Sequence, residues 1–94
     1  KEKLDLAEVL RAVGSEDGWP DWYIGRIVRR FRSLGINYAV GIGETNIGGV
    51  RVLGKGWSSI VIAVEVNNII AAAKILRYKS RRSMLLREAL FLIA

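Results

Sequence analysis

Residues 53–61 read Leu53-Gly54-Lys55-Gly56-Trp57-Ser58-Ser59-Ile60-Val61. Glycine lets a backbone come close to a ligand, because a side chain at the same place would strike phosphate oxygens. The bland reading is that these glycines only serve a tight turn between two strands. A dinucleotide-binding fold needs a helix directly after the glycines, so that the helix N-terminus can hold a pyrophosphate. The β-branched run from Ile60 predicts a strand there instead. Gly49 to Lys55 also fits G-x-x-x-x-G-K, but the following position must carry a hydroxyl for magnesium and is Gly56. What remains is strand, glycine turn, strand, a hairpin able to lie over phosphates as a lid.

Downstream, residues 60–66 and 69–76 are β-branched and apolar, and Asn67 and Asn68 between them tolerate the positive φ of a tight hairpin. Within the second strand Lys74 is surrounded by apolar residues. A strand lysine can snorkel to solvent, but an ammonium embedded in such a run calls for a partner. Ala72, two residues earlier, leaves room for a flat ring. Ser80 suits an N-cap, and the Leu-, Met-, Arg- and Ala-rich stretch 81–93 predicts a helix. On it Met84, Leu85, Glu88 and Leu92 share a face, so Glu88, the single acid after Glu65, is turned toward the sheet and available to Lys74. The alternative partners of Glu88 are Arg81 and Arg87, in water.

Gly54-x-Gly56-x-x-Ser59-x-Val61, then Ala72-x-Lys74, then Glu88 resembles the N-terminal lobe of protein kinases, and looks most like the compact archaeal and RIO-like atypical serine/threonine kinases. The resemblance covers residues 48–94. It implies ATP and Mg2+ as cofactors. Val61 and Ala72 would enclose adenine, and the backbone of Gly54, Lys55, Gly56, Trp57, Ser58 and Ser59, entered through Leu53, would cover the phosphates. Lys74 would hold the α- and β-phosphates, with Glu88 orienting it. Ser59 stands where the third glycine is usual, and Trp57 and Ser58 depart from the aromatic-glycine tip. The spacing of 14 residues from Lys74 to Glu88 fits the compact members. The family's catalytic aspartate, its asparagine and its magnesium-binding aspartate have no counterpart here. The 94 residues are therefore expected to bind nucleotide without transferring phosphate, with magnesium ligands and a C-terminal lobe supplied outside this chain.

Upstream, Leu6, Val9, Leu10 and Val13 recur at helical spacing and are followed by Gly14, which predicts a helix over 3–13 closed by that glycine. Pro20 and the apolar stripe Ile24, Ile27, Val28, Phe31 and Leu34 predict a second helix over 20–34, carrying Arg26, Arg29, Arg30 and Arg32 outward and ending at Gly35. Strands are expected at 38–42 and 50–53. The fold class read from this order is α+β: an N-terminal helical segment (1–47) followed by an antiparallel sheet plus one helix (48–94).

The net charge of +6 arises wholly after residue 47, where eight basic residues face two acidic ones; before it, seven of each balance. The excess thus lies in the half that carries the glycine turn, where an anionic ligand is expected. With neither cysteine nor histidine, disulfides, thiolate metal sites and imidazole bases are excluded. No apolar run approaches the roughly 18 residues of a membrane span, so a cytoplasmic protein with no membrane partner is expected. Lys1 in place of methionine and the apolar run 89–94 suggest a piece of a longer chain that self-associates through its uncovered end. A nucleic-acid-binding module with a degenerate winged helix in 1–47, or a small-molecule phosphotransferase of kinase-like fold, are the competing readings; the protein substrate is not encoded.

Overall fold

A computed structural model describes residues 2–79 and the backbone of 90–93. Strand β1 (Lys3–Asp5) leads into helix α1 (Leu6–Asp17), whose start is fixed by Asp5: its carboxylate accepts the amide of Glu8 at 3.1 Å. The helix does not stop at Gly14. It runs one turn further and closes at Gly18, in the left-handed conformation at φ 77°. Gly14 serves packing: a Cβ there would stand 2.8 Å from Ile24 and 2.9 Å from the Trp19 ring. Helix α2 (Asp21–Ser33) follows Pro20 and buries Tyr23, Ile24, Ile27, Val28 and Phe31. Its end is closed by the amide of Ile36 donating to Phe31 O at 3.0 Å, with Gly35 at φ 78° between them.

The fold is α+β, and its sheet is antiparallel throughout. The centre is a hairpin of β6 (Ser59–Val66) and β7 (Ile69–Leu76), paired over eight positions and turned by Asn67 and Asn68 at φ 51° and 65°, as the sequence predicts. On the other side of β6, two short strands share its length: β2 (Tyr38–Val40) pairs with 63–65 and β5 (Gly54–Lys55) with 60–61. Strand β1 extends the sheet beyond β2, while β3 (Thr45–Ile47) and β4 (Val50–Val52) form a separate hairpin.

The last described residues correct an expectation. Residues 90–93 form strand β8 (Leu90–Ile93), antiparallel to β7, where the sequence pattern suggests helix. A four-residue apolar run carries no periodicity that separates the two states, and the open edge of β7 supplies hydrogen-bond partners. The remainder of that expected helix, with Glu88, lies outside the described residues.

Alternation along β6 and β7 divides the sheet. Ile60, Ile62, Val64, Ala73 and Ile75 join α1 and α2 in one core with Leu10, Val13, Ile27, Phe31 and Ile36. That core draws on both halves of the sequence.

A buried ion pair ties the helices to the sheet. Asp17, the last residue of α1, sits where the helix dipole disfavours a negative charge. Arg77, just past β7, grips it with two bonds, Nη2 to Oδ1 at 2.7 Å and Nε to Oδ2 at 3.0 Å. Trp19 Nε1 donates to the same Oδ2 at 2.8 Å, and Lys55 Nζ lies 3.7 Å from Oδ1. Burial pushes the Asp17 carboxyl up, but these hydrogen bonds and the charges of Arg77 and Lys55 outweigh it and hold the group below its ordinary value. Beside it, the Tyr23 hydroxyl donates to Leu76 O at 2.6 Å; burial, opposed by Arg26, pushes that phenol up to about 12.

Four outcomes follow from this packing. Gly14→Ala, which in an exposed helix would stabilise, is expected to destabilise by about 1–3 kcal/mol through overpacking against Trp19, which its bond to Asp17 pins in place; denaturant melts measure this. Arg77→Met, which strands a buried carboxylate, is expected to cost about 3–5 kcal/mol in the same melts. In pH-dependent thermal melts, a lowered Asp17 pKa means its contribution is full above the ordinary carboxylate value and fades as pH falls below about 4. The raised Tyr23 pKa means stability is lost as pH rises from about 10 toward 12. Asp17→Asn should flatten the acid limb and Tyr23→Phe the alkaline one.

Candidate functional site

The glycine turn is a strand-turn-strand hairpin. Gly54 and Lys55 pair with Val61 and Ile60, and Leu53 N donates to Val61 O at 2.8 Å. The Gly56 amide bonds Ser59 O at 2.8 Å, which leaves Trp57 and Ser58 as a two-residue tip. The Trp57 ring is 93% exposed there, and Ser59 is buried at the start of β6.

Of the ten glycines, Gly18, Gly35, Gly43, Gly48 and Gly49 adopt positive φ, Gly14 is required by packing, and a Cβ on Gly41 would crowd Leu4 at 3.2 Å. Gly25, within α2, has no such reason, and neither do Gly54 and Gly56 in the turn. Neither has a positive φ; nothing lies within 4 Å of a Cβ built on Gly54, and on Gly56 a Cβ meets only Ser59 O at an ordinary 3.8 Å. The tight-turn explanation therefore does not account for them, whereas a ligand lying against the turn would.

The face of the sheet turned away from the helices carries the remaining expected residues. Val61 stands directly opposite Lys74, and Ala63 opposite Ala72, so alternation puts all four side chains on one surface, with Gly54 across from Val61 on the other edge. Ala72 puts only a methyl group on that face, and Ala63 beside it is fully buried. Val61, Ala72 and Lys74 are half-buried. Lys74 has no ion-pair or hydrogen-bond partner among the described residues, and Glu88, its expected partner, lies outside them. Lys55 is different: paired with Ile60, its side chain lies on the helix side of the sheet, near Asp17.

Sequence reasoning misses the residue that shapes the turn. Arg77 Nη1 donates to Gly56 O at 3.0 Å and to Trp57 O at 3.4 Å, and the Arg77 amide donates to Ser58 O at 2.8 Å. Three successive carbonyls are thus gathered by one residue, which is itself anchored on Asp17, 60 positions away in sequence. No local spacing announces such a pair; the available signal is an arginine ending an apolar strand and an aspartate ending an amphipathic helix. Among the described residues no group of three or more acidic side chains could hold a metal ion, and no helix is long and apolar enough to cross a membrane. Comparison of the chain with family models, with curated proteins and with solved structures finds no match, and the site stands on its own geometry.

Proposed function

We propose that this chain is the ATP-gripping N-terminal part of a cytoplasmic serine/threonine protein kinase of the compact, RIO-like kind. The observation that carries the reading is the pair Gly54 and Gly56, bare of side chains without conformational or packing need, at the edge of a face bearing Val61, Ala72 and Lys74. These residues fit a nucleotide. Ala72 leaves room for the adenine plane, Val61 offers it an apolar contact, the turn backbone lies over the phosphates, and Lys74 supplies a cation on the same surface. Glu88 completes the grip by holding the Lys74 ammonium in place. Bound ATP with Mg2+ supplies the transferable phosphoryl group. Transfer to a protein hydroxyl needs a base and a metal clamp that these 94 residues lack, so this chain binds without turnover. The same grip would serve a small-molecule phosphotransferase; the acceptor is chosen by residues this sequence does not contain.

A second reading has one observation in its favour. A groove of about 370 Å3 between α1 and α2 is lined by Ala7, Ile24 and Val28 together with Arg11, Arg29 and Arg32 and one acid, Asp21, a net basic surface suited to nucleic-acid phosphates. It leaves Gly54, Gly56 and Lys74 without a role.

Titration with Mg-ATP, followed by Trp57 fluorescence, is expected to saturate, with Trp57→Phe removing the signal. Lys74→Met should weaken binding at least about tenfold, a loss of roughly 1.4 kcal/mol. Ala72→Leu should abolish binding while leaving the melting temperature within a few degrees. An unresponsive chain that instead binds DNA or RNA with strong salt dependence would establish the second reading.

A further inference from the structure

Arg77 belongs to no motif, yet it contacts every peptide at the tip of the glycine turn. Its guanidinium takes the carbonyls of Gly56 and Trp57, its amide takes that of Ser58, and its remaining donors close on Asp17. In a trans peptide the N–H points opposite to the preceding C=O. Drawing the carbonyls of residues 56 and 57 onto one guanidinium nitrogen therefore turns the amides of Trp57 and Ser58 away from it, while the Ser58 carbonyl is held by the Arg77 main-chain amide. Consecutive amides with a shared direction form a concavity that attracts anions, whereas carbonyls in the same place would repel them. An unanchored two-residue tip could flip its peptides; this one is held by a side chain that cannot move without taking two hydrogen bonds from a buried carboxylate.

We propose that Arg77 and Asp17 are positioning residues for the phosphate-covering turn: the buried ion pair holds three successive carbonyls aside so that the turn presents its amides to the nucleotide phosphates. This inference rests on the ATP reading given above. It also assigns a task to the N-terminal helical segment, since α1 supplies the anchoring carboxylate. Helix α1 thereby sets the geometry of a turn it does not itself line.

The experiment compares Mg-ATP with adenosine, which shares the base but lacks phosphates, on the wild-type chain and on Arg77→Lys. Lysine keeps the charge and the backbone amide but cannot bridge Asp17 and two carbonyls together. Chains labelled with 5-fluorotryptophan give resonances for three tryptophans, so that of Trp19 reports folding and that of Trp57 reports the turn. Arg77→Lys is expected to weaken Mg-ATP about tenfold, to leave adenosine affinity unchanged, and to alter the Trp57 line width while the Trp19 resonance stays native-like. Asp17→Asn, isosteric at the anchor, should likewise weaken Mg-ATP and spare adenosine, with its folding read from the Trp22 resonance because Trp19 bonds residue 17 directly, and it serves as the test if Arg77→Lys does not fold. Equal Mg-ATP affinity in wild type and variants, or parallel loss of Mg-ATP and adenosine, would overturn the positioning role and leave the ATP reading standing. A wild-type chain that binds neither ligand would overturn both.

Discussion

The Asp17 carboxylate is the constraint on which the rest of the molecule depends. It stands at the negative end of a helix dipole, almost wholly withdrawn from water, and either condition alone would favour its protonation. Charge can persist there only if cations and donors converge, and they come from three places: Arg77 after β7, Trp19 from the link between the helices, and Lys55 from β5. Satisfying one carboxylate therefore fixes where the helices meet the sheet and where the glycine hairpin lies. Truncating a buried pair costs more than the pair contributes relative to an apolar replacement, so its value here is geometric. An apolar contact would slide, whereas a bidentate fork does not.

What the sequence discloses is what local interactions decide. The β6–β7 hairpin is legible because β-branched alternation and the Asn67-Asn68 turn are both short-range signals that agree. Helix α2 is equally plain, bounded by Pro20 and Gly35 with its apolar stripe between. Gly14 shows where local reading fails. In sequence it has the look of a helix terminator, but a long-range contact with Ile24 and Trp19 decides its role, and the helix passes through it to Gly18. Residues 90–93 fail for a second reason: their pairing partner is β7, remote in the chain, and nothing within four apolar residues reveals it. The pair of Asp17 and Arg77 is illegible for both reasons, being distant in sequence and carrying no periodicity.

The site residues divide along the same line. Gly54, Gly56, Val61, Ala72 and Lys74 are recognised by spacing within two adjacent strands, which the register then places on a common face. What the spacing does not convey is why that face is left free by the helices. The helices take the opposite side, where Ile60, Ile62, Val64, Ala73 and Ile75 form the core, and this leaves the surface of Val61 and Lys74 to other partners. The core is a precondition of the site, since a thin sheet with no covered face would not hold its register.

Two lysines of the same sheet show how alternation sorts charge. Lys55 and Lys74 lie on strands that flank β6, and both look alike in composition. Lys55 pairs with Ile60 and so projects toward the helices, where Asp17 receives it. Lys74 pairs with Val61 and projects to the opposite surface, without an anionic partner among the described residues. A shift of one residue in either register would exchange the two surfaces, depriving Asp17 of a cation and the face opposite the helices of its charge. The pattern of the strands thus decides which cation stabilises the fold and which remains for an anionic ligand, and the buried anchor on Arg77 keeps the glycine hairpin in the register that maintains this division.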